Sequence, residues 1–201
     1  MTDKFTRKIY EYSVANLRAF PCTISLYSII GGLLLDNPTY IYFGIYVIVC
    51  DAFGSLLKTI VKQIYKAIGR ESIPLLGLGR RPNNAKYCSA FITESNLDGK
   101  SSSFGMPSGH ALVAGMTFMF WVQYICEHTK EEKLKRRQYV LLALICSSVI
   151  ISRFYFGCHT IQQSILGALI GGGLGYIGYK YIYNKVLYYI DYYNLLHFNT
   201  F

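Results

Sequence analysis

Acidic residues are scarce in this chain, 11 against 20 lysines and arginines, and charged residues of either sign make up only 15% of it. The acids form no cluster able to hold magnesium, and no cysteine and histidine pattern has the spacing of a zinc site. A metal cofactor is therefore not expected. The net charge is +9, but no soluble domain exists to carry a basic patch, which excludes a nucleic-acid binder. The start lacks a basic region followed directly by an apolar core and a small-residue site, so no cleaved signal peptide is expected. No long-range repeat is visible.

What the chain has is apolar length. Its 201 residues suit one domain, and 52% of them are hydrophobic and gathered in blocks, as in membrane proteins. Five spanning candidates follow, at 19–35, 38–56, 109–126, 138–156 and 160–179, each near the ~17–25 residues that cross a bilayer. The first is short and carries Pro21 near its start. The expected fold is an all-α polytopic membrane bundle of five to six transmembrane helices. Residues 1–18 read as an amphipathic lead-in with Lys4, Arg7, Lys8 and Arg18. Asp36-Asn37-Pro38 reads as a turn. Residues 57–108 form the one long polar excursion, helical at first and then broken by glycine and proline. Tyrosines in Tyr179–Tyr193 suit a headgroup interface, so residues 180–201 either lie on the membrane or extend the last span. Gly167, Gly171 and Gly175 recur every four residues, with Gly178 after them, and suit close helix packing in lipid.

Three separated stretches carry the chemistry: Gly79-Arg80-Arg81-Pro82, Met106-Pro107-Ser108-Gly109-His110, and Ser152-Arg153 with His159 six residues later. An even number of crossings separates them, so they share one membrane face. Glu127–Gln138 reads as a basic loop on the opposite face, with Lys130, Lys133, Lys135, Arg136 and Arg137. The positive-inside rule makes that loop cytoplasmic and the motif face luminal or external. Arginine grips phosphate oxygens two at a time. Histidine attacks phosphorus or protonates a leaving oxygen near neutral pH.

Pro107 suits a first helical turn, whose free amides bind anions, and Gly109 lets backbone approach a phosphate. The same tetrapeptide also reads as a simple helix cap. Arg153 and His159 also read as interfacial residues, but their place beside Pro-Ser-Gly-His favours a site. Gln163 is four residues after His159, on the same helical face, and its amide oxygen suits the other ring nitrogen. Lys58 and Lys62 share a face and read as snorkelling lysines or as a phosphate ligand. Asp51 is ionisable at membrane depth and is taken as structural. Cys22, Cys50, Cys126 and Cys146 read as small apolar residues.

The trio Arg-Pro, Pro-Ser-Gly-His and Ser-Arg-x5-His resembles the type 2 phosphatidic-acid phosphatase superfamily over about residues 50–180. The resemblance implies a single membrane-embedded phosphatase domain, 1–201, with 57–108 as the active-site loop. It implies that His159 is a nucleophile forming a phosphohistidine and His110 the general acid and base. Arg81, Arg153, Ser108, Gly109 and Lys58 would hold the phosphate, Gln163 would orient His159, and no metal would be needed. Two departures stand out. The family's lysine seven residues before Arg-Pro is Pro74 here, which makes Lys58 its replacement, with Lys62 the alternative, across an insertion at 65–80. The family's His-x3-Asp ends in Gln163, which resembles the dolichyl diphosphatase branch. That implies a polyprenyl or dolichyl diphosphate substrate and a luminal site in the endoplasmic reticulum. A phosphatidic-acid or other lipid monophosphate phosphatase, a lipid-to-lipid phosphotransferase and a catalytically silent lipid-phosphate binder remain as alternatives. Cys88 and Cys158 fall on the motif face, where a disulfide would pin the loop. Gln163→Asp is expected to retain or raise activity.

Overall fold

The computed structural model describes residue 6, residues 12–74, 76–83, 85 and 88, and residues 104–192, the last two by backbone alone. Lys4, Arg7 and Lys8 of the lead-in, and the tail beyond Tyr192, lie outside the described residues. The architecture is helical, with a two-stranded hairpin as its only sheet among the described residues.

Helix α1, Tyr12–Arg18, meets α2, Phe20–Leu34, at a bend of 88°. Pro21 sits in the first turn of α2, where its missing N–H costs nothing. The expected first span is therefore a bent pair. Asp36, in the left-handed region at φ 48°, turns the chain. The Asn37 side chain then accepts the Thr39 amide and caps α3, Pro38–Ile68. At 31 residues, α3 is about 46 Å long and outreaches the bilayer. The second span thus runs on well beyond residue 56, and the helical opening expected for the excursion, with Lys58 on it, is its direct continuation. Gly69, at φ 68°, ends it.

Strands β1, Ser72–Ile73, and β2, Gly77–Leu78, pair antiparallel with Ser72 opposite Leu78. The Tyr65 hydroxyl donates to Gly77 O at 2.9 Å and fastens this hairpin to α3. Gly79 O accepts the amides of Gly105 and Met106, and Arg80 pairs with Phe104 across an isolated bridge. Backbone bonds thereby carry Arg81 to the segment that opens α4.

Helices α4, Gly109–His128, α5, Glu132–Tyr155, and α6, Ile161–Ile177, complete the bundle. Only Thr129–Glu131 joins α4 to α5, so most of the expected basic loop is instead the first turns of α5. The expected glycine face packs α6 on α4. A Cβ on Gly167, Gly171 or Gly175 would strike the Ser108, Leu112 or Met116 carbonyl, one turn of α4 after another. Gly115 of α4 meets Ala168 O in the same way.

Beyond α6 the chain continues as a π-helical segment, Gly178–Tyr183, and α7, Asn184–Tyr192. The Tyr46 and Tyr42 hydroxyls donate to Leu174 O and Gly178 O, satisfying carbonyls where the helical ladder changes pitch. Through Tyr192 the tail thus extends the last helix. Tyr179 and Tyr183 are buried against Phe120, not placed at a headgroup surface as expected. Desolvation of their rings by packing against Phe120, Tyr42 and Tyr124 explains the difference. Tyr181, Tyr188 and Tyr189 remain exposed. Helices α3, α4 and α5 are each long and apolar enough to cross a membrane, and the α1–α2 pair makes a fourth if it is one span. Helix α6 has 17 residues before its π continuation.

Candidate active site

The site forms where α4 and α6 begin and α5 ends, under the loop that follows the hairpin. Ser108 caps α4, its hydroxyl oxygen accepting the Ala111 amide at 3.4 Å. Because serine takes the cap, Pro107 lies before the helix and not in its first turn, as the sequence suggested. The amides of Gly109 and His110 come ahead of the intrahelical ladder, where an anion suits them.

Gln163 joins the parts. It is fully buried and opens α6 in a capping box with Thr160. Its Nε2 donates to Leu78 O at 2.7 Å and to Arg80 O at 2.9 Å. Both are carbonyls, so the amide orientation is fixed and Oε1 faces the other way. Oε1 accepts from the Thr160 amide and from His159 Nδ1, at 3.1 Å. The proton of neutral His159 is therefore on Nδ1, and Nε2 keeps its lone pair. Gln163 O also accepts the Ser108 amide at 3.1 Å, tying the second motif to the third. His159 itself is 5% exposed. Burial first, then the positive charges of Arg81 and Lys58, hold its pKa well below 6.5, against the opposing effect of the Gln163 hydrogen bond. The ring is neutral at physiological pH.

Arg153 is completely buried. Its Nε donates to Ser152 Oγ at 3.1 Å and its Nη2 to Leu17 O at 3.2 Å, while Nη1 is buried without a protein acceptor. Arg81 Nε is likewise buried without one, and burial lowers the Arg81 pKa from its usual value. A fully buried and a half-buried arginine, each with one buried N–H unused, suit an anion, since an unmade charged bond is expensive. The positive charges of Arg153, Arg81 and Lys58 all act on His110. His110 Nε2 lies 2.7 Å from Arg18 O. A carbonyl only accepts, so Nε2 bears a proton and Nδ1 is the nitrogen left for exchange.

The structure thus gathers His159, His110, Gln163, Arg81, Arg153, Ser108, Gly109 and Lys58 at one end of the bundle. Arg80 and Lys62 point elsewhere: they line a separate pocket of about 210 Å³ with Lys66 and Arg70. Of the two lysines, it is the charge of Lys58 that acts on both His110 and His159. Sequence reasoning missed two contributions. The Leu17 and Arg18 carbonyls at the α1–α2 bend orient Arg153 and His110, and backbone carbonyls leave no mark in a sequence. Asp51, taken as structural, has its Oδ1 3.9 Å from where a Cβ on Gly109 would stand. Its charge also acts on Lys58 across two turns of α3. Among the described residues, no group of three metal-ligating side chains is present.

Cys88 and Cys158 form a disulfide with Cα atoms 5.4 Å apart. The bond anchors the polar loop to the residue immediately before His159.

Residues 39–187 match the family model of the PAP2 superfamily, the type 2 phosphatidic-acid phosphatases. The chain belongs to the PAP2 superfamily. No curated protein and no solved structure matches it. PAP2 members are phosphatases acting on lipid phosphates, which fits an integral membrane protein with a cationic, histidine-containing site. The matched region begins after the α1–α2 bend, so the two carbonyls that orient Arg153 and His110 come from outside it.

Proposed function

We propose that this protein is a metal-independent lipid phosphatase that removes the terminal phosphate of a polyprenyl or dolichyl diphosphate through a phosphohistidine. The observation that carries the reading is the buried His159–Gln163 pair beside two arginines with unused donors. The Nε2 lone pair of His159 attacks the terminal phosphorus in line. His110 takes up a second proton, on Nδ1, with the anionic headgroup; the P–O bond to the rest of the lipid then breaks, and the leaving oxygen takes that Nδ1 proton. Arg81, Arg153, Lys58, Ser108 Oγ and the Gly109 amide stabilise the charge on the three equatorial oxygens. Water then gives a proton to His110 and attacks phosphorus, and the P–N bond breaks to release phosphate and restore neutral His159. No step calls for a metal.

The diphosphate assignment rests on Gln163 in place of a carboxylate. A neutral partner leaves the site more positive, which favours a more highly charged headgroup. The Cys88–Cys158 disulfide favours a luminal or external site, because thiols stay reduced in the cytosol. The test is phosphate release by the protein in detergent with EDTA present, comparing a polyprenyl diphosphate with phosphatidic acid. Release chiefly from the diphosphate supports the reading. Preference for phosphatidic acid keeps the mechanism and overturns the substrate, and no release from either overturns both.

A further inference from the structure

Two cavities lie against α6 on the side away from its tight glycine seam. One, of about 680 Å³, is lined by His159 itself together with Phe154, Ser164 and Ile165. The other, of about 640 Å³, lies deeper, between α5 and α6 over Gly115 and Phe118 of α4. They share Ile150, Ile165 and Ala168, so they adjoin end to end along α6 and together make the α5–α6 groove. It exists because α6 packs closely on α4 but only loosely on α5.

The glycines of α6 record the same asymmetry. Gly167, Gly171 and Gly175 are pressed on α4 carbonyls, whereas a Cβ added at Gly172 or Gly173 would meet nothing within 4 Å. Both of these glycines line the deep cavity. At its upper end, Ser164 is fully buried, its Oγ has no partner, and it lines the cavity beside His159. From Ser164 to Tyr176 the groove follows α6 for about 18 Å, past the middle of a hydrocarbon core about 30 Å thick.

We propose that this α5–α6 groove holds one hydrocarbon chain of the lipid substrate, with Ser164 Oγ donating to the headgroup oxygen that joins chain to phosphate. This rests on the lipid-phosphatase reading and specifies where the tail of its substrate lies. The groove is walled almost wholly by apolar side chains and begins at the proposed nucleophile, so a phosphate at His159 brings its own tail to the opening. Lipid tails are as apolar as the groove, so burying a chain there gains little over leaving it in the bilayer. The groove therefore acts mainly by registering the phosphate against His159. A rival cavity of about 470 Å³ lies between α2 and α5, lined by Phe20, Tyr27 and Gly31; it reaches Leu17, whose carbonyl orients Arg153, but neither histidine nor any of the phosphate-binding residues.

The test fills each cavity in turn. Gly172→Leu/Gly173→Leu plugs the groove, and Gly31→Leu, whose added Cβ also meets nothing, plugs the rival. The kcat/KM for a long polyprenyl diphosphate is divided by that for a short-chain analogue. The expected result is at least a tenfold fall in this ratio for the groove variant and less than a twofold change for Gly31→Leu. The reverse pattern, or an unchanged ratio in both, overturns the proposal. If the wild type releases no phosphate, a long-chain alkyl phosphonate bearing a mid-chain diazirine gives an independent readout. Crosslinks confined to the Ala143–Ile150 and Ile165–Tyr176 peptides support the groove even though the phosphatase reading has failed. Crosslinks spread over α2 and α3 overturn it.

Discussion

Gln163 shows what a single residue settles. With both amide hydrogens on carbonyls and the oxygen toward His159 Nδ1, the side chain fits only as an amide. A glutamate there would set a carboxylate oxygen against Leu78 O and Arg80 O, and an aspartate, shorter by a methylene, would abandon both. This reverses what the sequence suggested for Gln163→Asp, where only the histidine contact was in view. Gln163→Asp and Gln163→Glu are predicted to lower kcat by about tenfold to a hundredfold, the cost of one or two buried polar groups left without partners. Phosphate-release rates alongside thermal melting check this, and either variant at wild-type rate contradicts it. The motif residues themselves were legible because phosphoryl chemistry needs histidine and arginine side chains. The carbonyls of Leu17 and Arg18 were not, since any residue supplies a carbonyl and only the 88° bend aims these two.

At the scale of elements, hydropathy marked the helices and glycine spacing marked the α4–α6 seam. The length of α3 was harder to read, because its last turns leave the bilayer and their polarity resembles a loop. The burial of Tyr179 and Tyr183 was also hidden, since it depends on which face the π-helical segment turns inward. The seam gives a paired prediction. Gly171→Ala places a methyl on Leu112 O and is predicted to destabilise the fold by about 1–3 kcal/mol, as overpacking does. Gly172→Ala enters open space and is predicted to be neutral or to stabilise by up to about 1 kcal/mol through helix propensity. Melting of both in the same detergent checks the pair, and equal effects contradict the seam.

For the whole molecule, the membrane brings distant motifs to one face and the disulfide then fixes the loop there. Cys88 and Cys158 are 70 residues apart, and closing such a loop restricts the unfolded chain by about 4 kcal/mol in the chain-entropy account. Cys88→Ser is predicted to lower both the melting temperature and the activity. Non-reducing peptide mapping of thiol-blocked membranes is predicted to find Cys88 joined to Cys158, and both thiols free in such material contradicts the luminal or external site. The central claim is that His159 takes the phosphoryl group. Its most direct test is to quench the enzyme during turnover of a lipid diphosphate labelled in its terminal phosphate and to map the labelled peptide. The account predicts an acid-labile, alkali-stable label on the peptide containing His159, with neither label nor turnover in His159→Ala. Substantial turnover in well-folded His159→Ala would contradict it.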